Sequence, residues 1–355
     1  SAFSGLSSLE SITLGSGVTS IGANAFYGTA LTSLTIPDSV TSIGSSAFQD
    51  ATALTSVTFG SGVETIGNEA FKGTSSLTSV TIGSGVTSIG EQAFYGSGVT
   101  SVTIPDSVTS IGALAFAKVP IKTLVVGKGL ANQSSVGGGA FYGVCPTLES
   151  VSINSPNALG RGNRTNSRLP WMTYWSANNS YFTGYDYIYQ GLHFTQGSVN
   201  TGRVQNNYTS YQYRDQFGSP RDPASLFECE NLQTITLGDD VKTVGSNIFS
   251  KLSSLTSLTI GSGVTSIGSN AFDGATSLTS LTIPNSVTTI SGSVFSGLSS
   301  LTSLTIGSGV TSIGSNAFGG ATSITSITIP DSVTTISDSA FSGLSSLESI
   351  TLGSG

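Results

Sequence analysis

Apolar side chains recur along this chain on two nested periods. The shorter is visible in LTSLTIPDSVTSIGSSAF, from Leu31 to Phe48, where Leu34 and Ile36 alternate with Ser33 and Thr35. Alternation of this kind is the mark of a strand buried on one face. Pro37 and Asp38 follow as turn residues, Pro because its ring presets φ and Asp because its carboxylate can bond the backbone beyond it. Val40 to Ile43 reads as a second short extended piece. Gly44 lets the chain bend, and Ala47 and Phe48 are expected to point inward and fill the space between neighbouring units.

The Phe of the AF pair, or its equivalent, marks the longer period. It stands at Phe3, Phe26, Phe48, Phe71, Phe94, Phe116 and Phe141, then at Phe227, Phe249, Phe272, Phe295, Phe318 and Phe341. The steps are 22 or 23 residues, except one of 25 and one of 86. A unit so short cannot bury its own apolar face, whereas stacked units bury a continuous core. The predicted fold class is therefore a repeat solenoid with short β-strands. The turn after the first strand tends to alternate between GSG, as at Gly15, Gly60, Gly83, Gly261 and Gly307, and PDS or PNS, at Pro37, Pro105, Pro284 and Pro330. The alternation is read either as duplication in pairs or as two interchangeable tight turns.

The unit LTSLTIPDSVTSIGSSAF resembles the BspA-like leucine-rich repeats, the class with about 23 residues per unit. The likeness covers roughly Ser1–Asn154 and Leu226–Gly355. It implies a surface or secreted protein of a bacterium or microbial eukaryote, with a link to adhesion. Nothing in the motif corresponds to the long step, so what the resemblance implies does not extend to it.

That step holds a segment of different chemistry. The organisation expected is solenoid over 1–154, an inserted subdomain over 155–222 and solenoid again over 223–355. The insert contains all six Arg, both Trp (Trp171 and Trp175), the single Met172, the single His193 and eight of the eleven Tyr, while all six Lys lie in the repeats. Its aromatic runs suit short strands packed as a small aromatic-rich subdomain. The alternative is a partner surface of Trp171, Trp175, Tyr185, Tyr187, Tyr189, Tyr211 and Tyr213, because aromatics and Arg are enriched at interfaces.

The two cysteines bracket the insert. Cys145 precedes Leu148 by three residues, and Cys229 precedes Leu232 by three, so both occupy one position in consecutive coils. Stacked strands lie about 4.7–4.9 Å apart, within the Cα separations a disulfide accepts. A Cys145–Cys229 bond is predicted, with two buried free thiols as the alternative. Asn-x-Ser/Thr acceptors occur at Asn132, Asn163, Asn178 and Asn207. Each is weak alone; with a disulfide they favour a secreted glycoprotein.

Composition narrows the function. Charged residues are 9 % and the net charge is -7, which leaves no basic footprint for nucleic acid. No apolar run is long enough to span a bilayer. One His and two Cys give no credible metal constellation, and no cofactor is expected. A catalytic arrangement would have only His193, with Asp186 or Asp215 as its acid and no marked nucleophile, so no catalytic residue is assigned. Strings such as GSGVTSIG are turn residues and lack the strand–loop–helix setting of a phosphate cradle. The outward Ser33 and Thr35, Ser79 and Thr81, and Ser280 and Thr282 read as a solvated β-face, with ice binding as the rival.

The seventeen letters at Ser1–Gly17 recur at Ser339–Gly355. Phe3 and Phe341 are 338 residues and twelve steps apart, one whole period, so the period is expected to continue, within a longer polypeptide or by end-to-end self-association. A repeat array cut at an arbitrary point is the alternative. The function expected is that of a non-enzymatic extracellular structural protein, the repeating unit of a filament or surface array. The competing reading is an adhesin binding a protein or glycan through the insert.

Overall fold

A computed structural model describes residues 1–130, 135–155 and 229–354, with four strand pieces at 187–189, 192–194, 213–214 and 220–221. Asn132, Asn163, Asn178, Asn207, Trp171, Trp175, Tyr185, Tyr211, Asp186 and Asp215 lie outside the described residues. Tyr187, Tyr189, His193 and Tyr213 are described only as positions in backbone strands.

The repeats wind into a parallel β-solenoid, and no α-helix occurs among the described residues. A typical coil gives three or four residues to a long face and two to a short face, as in Ser56–Thr58 and Thr65–Ile66. Like residues stack in register: Leu34 faces Val57, which faces Val80. On the short face Ile21, Ile43, Ile66 and Ile89 do the same. Between the faces Leu54, Val63, Ala70 and Phe71 are fully buried. The phenylalanine rings form two runs, Phe3 to Phe141 and Phe249 to Phe341; neighbouring rings are nearly parallel, with centroids 5.0 Å (Phe94–Phe116) to 5.7 Å (Phe272–Phe295) apart. Truncating one such ring to Ala would remove about 3–5 kcal/mol.

Two residues per coil take left-handed backbone, two before and two after the Phe. Asn24, Asn247, Asn270 and Asn316 hold the first position with φ of 54–56°, and Ser46, Glu69, Gln92, Leu114, Ser293 and Ser339 hold it in other coils. Gly holds most of the second, as at Gly274 with φ 80°, but Asp50, Lys118 and Lys251 also occupy it. These two kinks turn the chain around the Phe and bring it back to the next long-face strand. Asn and Gly suit them because they enter this region at little steric cost.

The alternation of turns has a structural meaning. At Gly127, Asn154 and Gly238 the residue after the strand donates its N–H to the strand of the preceding coil, at Ile104, Val126 and Ile153. Proline has no N–H to donate there. At all four junctions where a Pro coil follows a GSG coil the long sheet weakens or breaks. Residues 11–14 form no strand beside Ser33–Thr35, and Ser79–Thr81 keeps one paired residue with Ser101–Ile104. Ser257–Ile260 and Ser280–Ile283 belong to separate sheets, as do Ser303–Ile306 and Ser326–Ile329. Here the Ser of the Pro turn reaches back instead, Ser39 Oγ donating to Val18 O at 2.7 Å and Ser286 Oγ to Val264 O at 2.6 Å. The next junction is of the opposite kind. Asp38, Asp106, Asn285 and Asp331 each accept the N–H of the following coil, from Ser61, Lys128, Ser308 and Ser354 at 2.7–2.9 Å. That coil begins with Gly every time, since its backbone rests on the turn below: a Cβ at Gly307 would lie 2.6 Å from the carbonyl carbon of Pro284.

The insert does not interrupt the stack. Ser150–Ile153 pairs with Thr234–Leu237 over four residues in register. Cys145 and Cys229, 84 residues apart in sequence, are bonded with S–S 2.08 Å and Cα–Cα 4.4 Å. Asn231 Nδ2 donates to Pro146 O at 2.7 Å beside them. The chain therefore leaves one coil and re-enters the next at adjacent points.

Candidate interaction surface

Three regions of the described surface offer chemistry. The first is the long face. Its two outward rows are set by strand alternation, which turns Ser33, Ser56, Ser79 and Ser101, and Thr35, Thr58, Thr81 and Thr103, to solvent while Leu34, Val57, Val80 and Val102 go inward. The second half repeats this with Ser257, Ser280, Ser303 and Ser326 beside Thr259, Thr282, Thr305 and Thr328. No charged residue stands in either row. The rows are half-buried only beside the insert, at Val125, Ser150, Ser152, Thr234 and Thr236. The neighbouring Thr row behaves differently, its hydroxyls being spent on the backbone of the coil below: Thr55 Oγ1 donates to Thr32 O at 2.9 Å and Thr302 Oγ1 to Thr279 O at 3.1 Å.

The second region is the corner just after the Phe, in the coils before the insert. Lys72 and Lys118 approach the ring of Tyr95, with Nζ 5.8 and 5.4 Å from its centroid. Lys72 also pairs with Glu69 at 2.9 Å. Hydrogen bonding to Tyr95, and then its charge, raises the pKa of Lys118 above the usual lysine value. Tyr27, in the same column, has its phenol pKa raised by a hydrogen bond to Asp50 and by that carboxylate's charge. Past the insert the column reads Ser250, Asp273, Ser296, Gly319 and Ser342. Sequence reasoning missed this corner because the position after Phe varies freely; the clustering of Tyr27, Tyr95 and Tyr142 at that one offset was the available signal.

The third region is the mouth of the insert, marked by Ser155 and Cys229. The aromatic and Arg residues expected to form a partner surface lie outside the described residues or in strands described as backbone only. Among the described residues no group of three or more His, Cys, Asp or Glu is arranged to hold a metal ion. Among the same residues no helix is long and apolar enough to cross a membrane. Among the described residues, the carboxyl groups with a shifted pKa belong to turns. Asp38 is lowered by hydrogen bonds from the backbone N–H and then the hydroxyl of Ser61. Asp239 is lowered by the hydroxyl and then the N–H of Ser262, with Lys242 nearby.

The family model described as BspA type leucine rich repeat region, in 6 copies, matches residues 1–98, 87–162 and 223–348. No curated protein matches the chain. Among solved structures, a leucine-rich repeat protein from Bacteroides ovatus is 23 % identical, with 89 % of this chain and 83 % of that chain covered and a TM-score of 0.34. A leucine rich cell surface protein from Faecalibacterium prausnitzii is 25 % identical, with coverage of 97 % and 86 % and a TM-score of 0.35. The pneumococcal vaccine antigen PcpA is 20 % identical, with coverage of 94 % and 73 % and a TM-score of 0.35.

Proposed function

The chain belongs to the BspA type leucine-rich repeat family, and from that premise we propose that it is a non-enzymatic extracellular structural protein, the repeating unit of a filament or surface array. The observation that supports this reading is the uniform stacking of the coils. Short-face strands pair in parallel, like residue on like residue, as Ile43 does with Ile66 and Ile267 with Ile290. The phenylalanine rings stack one on the next in the same way, as Phe48 on Phe71 and Phe272 on Phe295. Each coil thus offers its neighbour the kind of surface that it receives, and contacts that repeat head to tail in this way propagate as filaments. Electron microscopy of native material is expected to show fibres with an axial repeat of about 58 Å, twelve coils at about 4.8 Å each. Monodisperse short particles alone overturn the reading.

The adhesin reading is kept because the insert concentrates all six Arg and both Trp, residue types enriched at binding surfaces. It predicts that an insert-directed antibody fragment blocks attachment to a protein or glycan ligand without dissolving fibres. An extracellular or cell-surface location is supported by the Cys145–Cys229 bond, since disulfides persist in oxidising compartments. It predicts N-glycans on Asn132, Asn163, Asn178 and Asn207. An unchanged mass after glycosidase treatment of native material counts against those glycans.

A further inference from the structure

The long face carries more hydroxyl groups than strand formation explains. Thr is a favoured strand residue, so the Thr row follows from propensity. Ser is not, yet Ser33, Ser56, Ser79 and Ser101 occupy the outward position of four successive strands. Their Cα positions are paired in register along the stack. None of these four hydroxyls, nor those of Thr35, Thr58, Thr81 and Thr103, takes part in a hydrogen bond within the protein, although the adjacent Thr32, Thr55 and Thr100 do. The two rows hold no charged residue to attract an ionic partner. They also lack the aromatic, Met and Arg side chains that enrich protein interfaces. What remains is an uncharged array of donors and acceptors, continuous over the strands from Ser33 to Thr81.

Its spacing fits ordered water. Neighbouring coils repeat at about 4.7–4.9 Å, and outward residues along one strand at about 6.6–6.8 Å. Hydroxyl–water hydrogen bonds are about 2.75 Å long, so second-neighbour oxygens in a tetrahedral water network lie about 4.5 Å apart. One water can therefore bridge two hydroxyls of a row, and a short run of coils can place its hydroxyls close to alternate oxygens of such a network. The side chains are short, and from Ser33–Thr35 to Ser79–Thr81 they stand on a continuous parallel ladder, so little side-chain entropy opposes their ordering.

We propose that the long face, through its paired Ser and Thr rows, binds the ordered water lattice of an ice surface. This is independent of filament formation, because it uses the flank of the solenoid and not its ends. The test uses the full chain and three readouts: thermal hysteresis, ice-crystal shape and the melting curve. The unmodified protein is expected to facet growing ice and to give measurable hysteresis at submillimolar concentration. Thr58→Lys with Thr81→Lys, both fully outward, is expected to reduce hysteresis several-fold with an unchanged melting curve. Ser266→Lys with Thr289→Lys, an exposed pair in adjacent coils of the short face, is expected to leave it intact. Absence of both faceting and hysteresis in the unmodified protein overturns the proposal. So does an equal loss in the two double variants. Retention on insoluble cellulose or chitin without any effect on ice would identify the occupant as a polysaccharide and likewise overturn it.

Discussion

At the residue scale, small polar side chains do directional work between coils. Asp38 and Asp239 hold the N–H and hydroxyl of Ser61 and Ser262 in the coil above. Both carboxyls are lowered below their ordinary 3.8 by these bonds. A folded-state pKa that is depressed contributes stability above the unfolded value and loses it as pH falls through the folded one. Asn285 makes the equivalent backbone contact without titrating. Asp38→Asn with Asp239→Asn is therefore expected to keep the acceptors and to flatten the loss of stability below about pH 4, read as melting temperature against pH. A slope equal to that of the parent protein would mean that these turns do not drive the acid limb. A second expectation concerns Lys251, which sits exposed with φ 63° at a position where most coils have Gly. Lys251→Gly removes a left-handed strain of about 1 kcal/mol, so denaturant unfolding is expected to shift to higher concentration. The left-handed positions around the Phe were not read from the sequence, because residues as varied as Ser46, Glu69, Gln92, Leu114, Lys118 and Lys251 fill them.

At the element scale, coils with a Pro turn differ from their neighbours in how they are joined. The sequence showed the period, the alternating strand and the buried Phe, since each leaves a residue-type signal at a fixed offset. It left open whether the alternation of GSG with PDS meant anything, because both turns close equally well in isolation. The answer lies between coils: the long sheet weakens or breaks below each Pro coil, and the Asp or Asn of the Pro turn offers an acceptor to the coil above. Each Pro coil is thus firmly joined upward and loosely joined downward. Native-state hydrogen exchange should register the difference. The amide of Ser303, which bonds Thr279 O at 3.2 Å across a Pro-to-Gly junction, is expected to exchange more slowly than the amide of Ser280, which stands at a broken one. Local opening free energies vary along a structure with such bonding. Equal protection at both sites would remove the energetic difference between the two junctions, leaving the alternation a feature of sequence alone.

At the scale of the whole molecule, the question is whether the insert belongs to the core or is carried by it. Counting from Leu148 and Leu232 placed both cysteines at one coil position before any coordinates, because solenoid registers are additive. The aromatic surface of the insert was not legible in the same way, since it has no period against which to register Trp171 or Tyr185. The in-register pairing of Ser150–Ile153 with Thr234–Leu237 treats the two flanking coils as ordinary neighbours. Residues 156–228 occupy the place that 263–274 occupy in a regular coil, counted from Ile153 and Ile260. Replacing 156–228 by the sequence of 263–274 is therefore expected to give a folded, cooperatively melting solenoid. The disulfide supplies a quantitative check. Closing an 84-residue separation restrains the unfolded chain by about 4.5 kcal/mol, whereas closing a single coil restrains it by about 3.4 kcal/mol. Reduction should thus destabilise the parent protein by about 1 kcal/mol more than the shortened one, measured by urea unfolding with and without reductant. A shortened chain that folds and shows this difference makes the insert a cassette held between two coils by Cys145 and Cys229. A shortened chain that loses cooperative unfolding even when oxidised would make the insert part of the core, and the partner surface would then have to be sought on the solenoid itself.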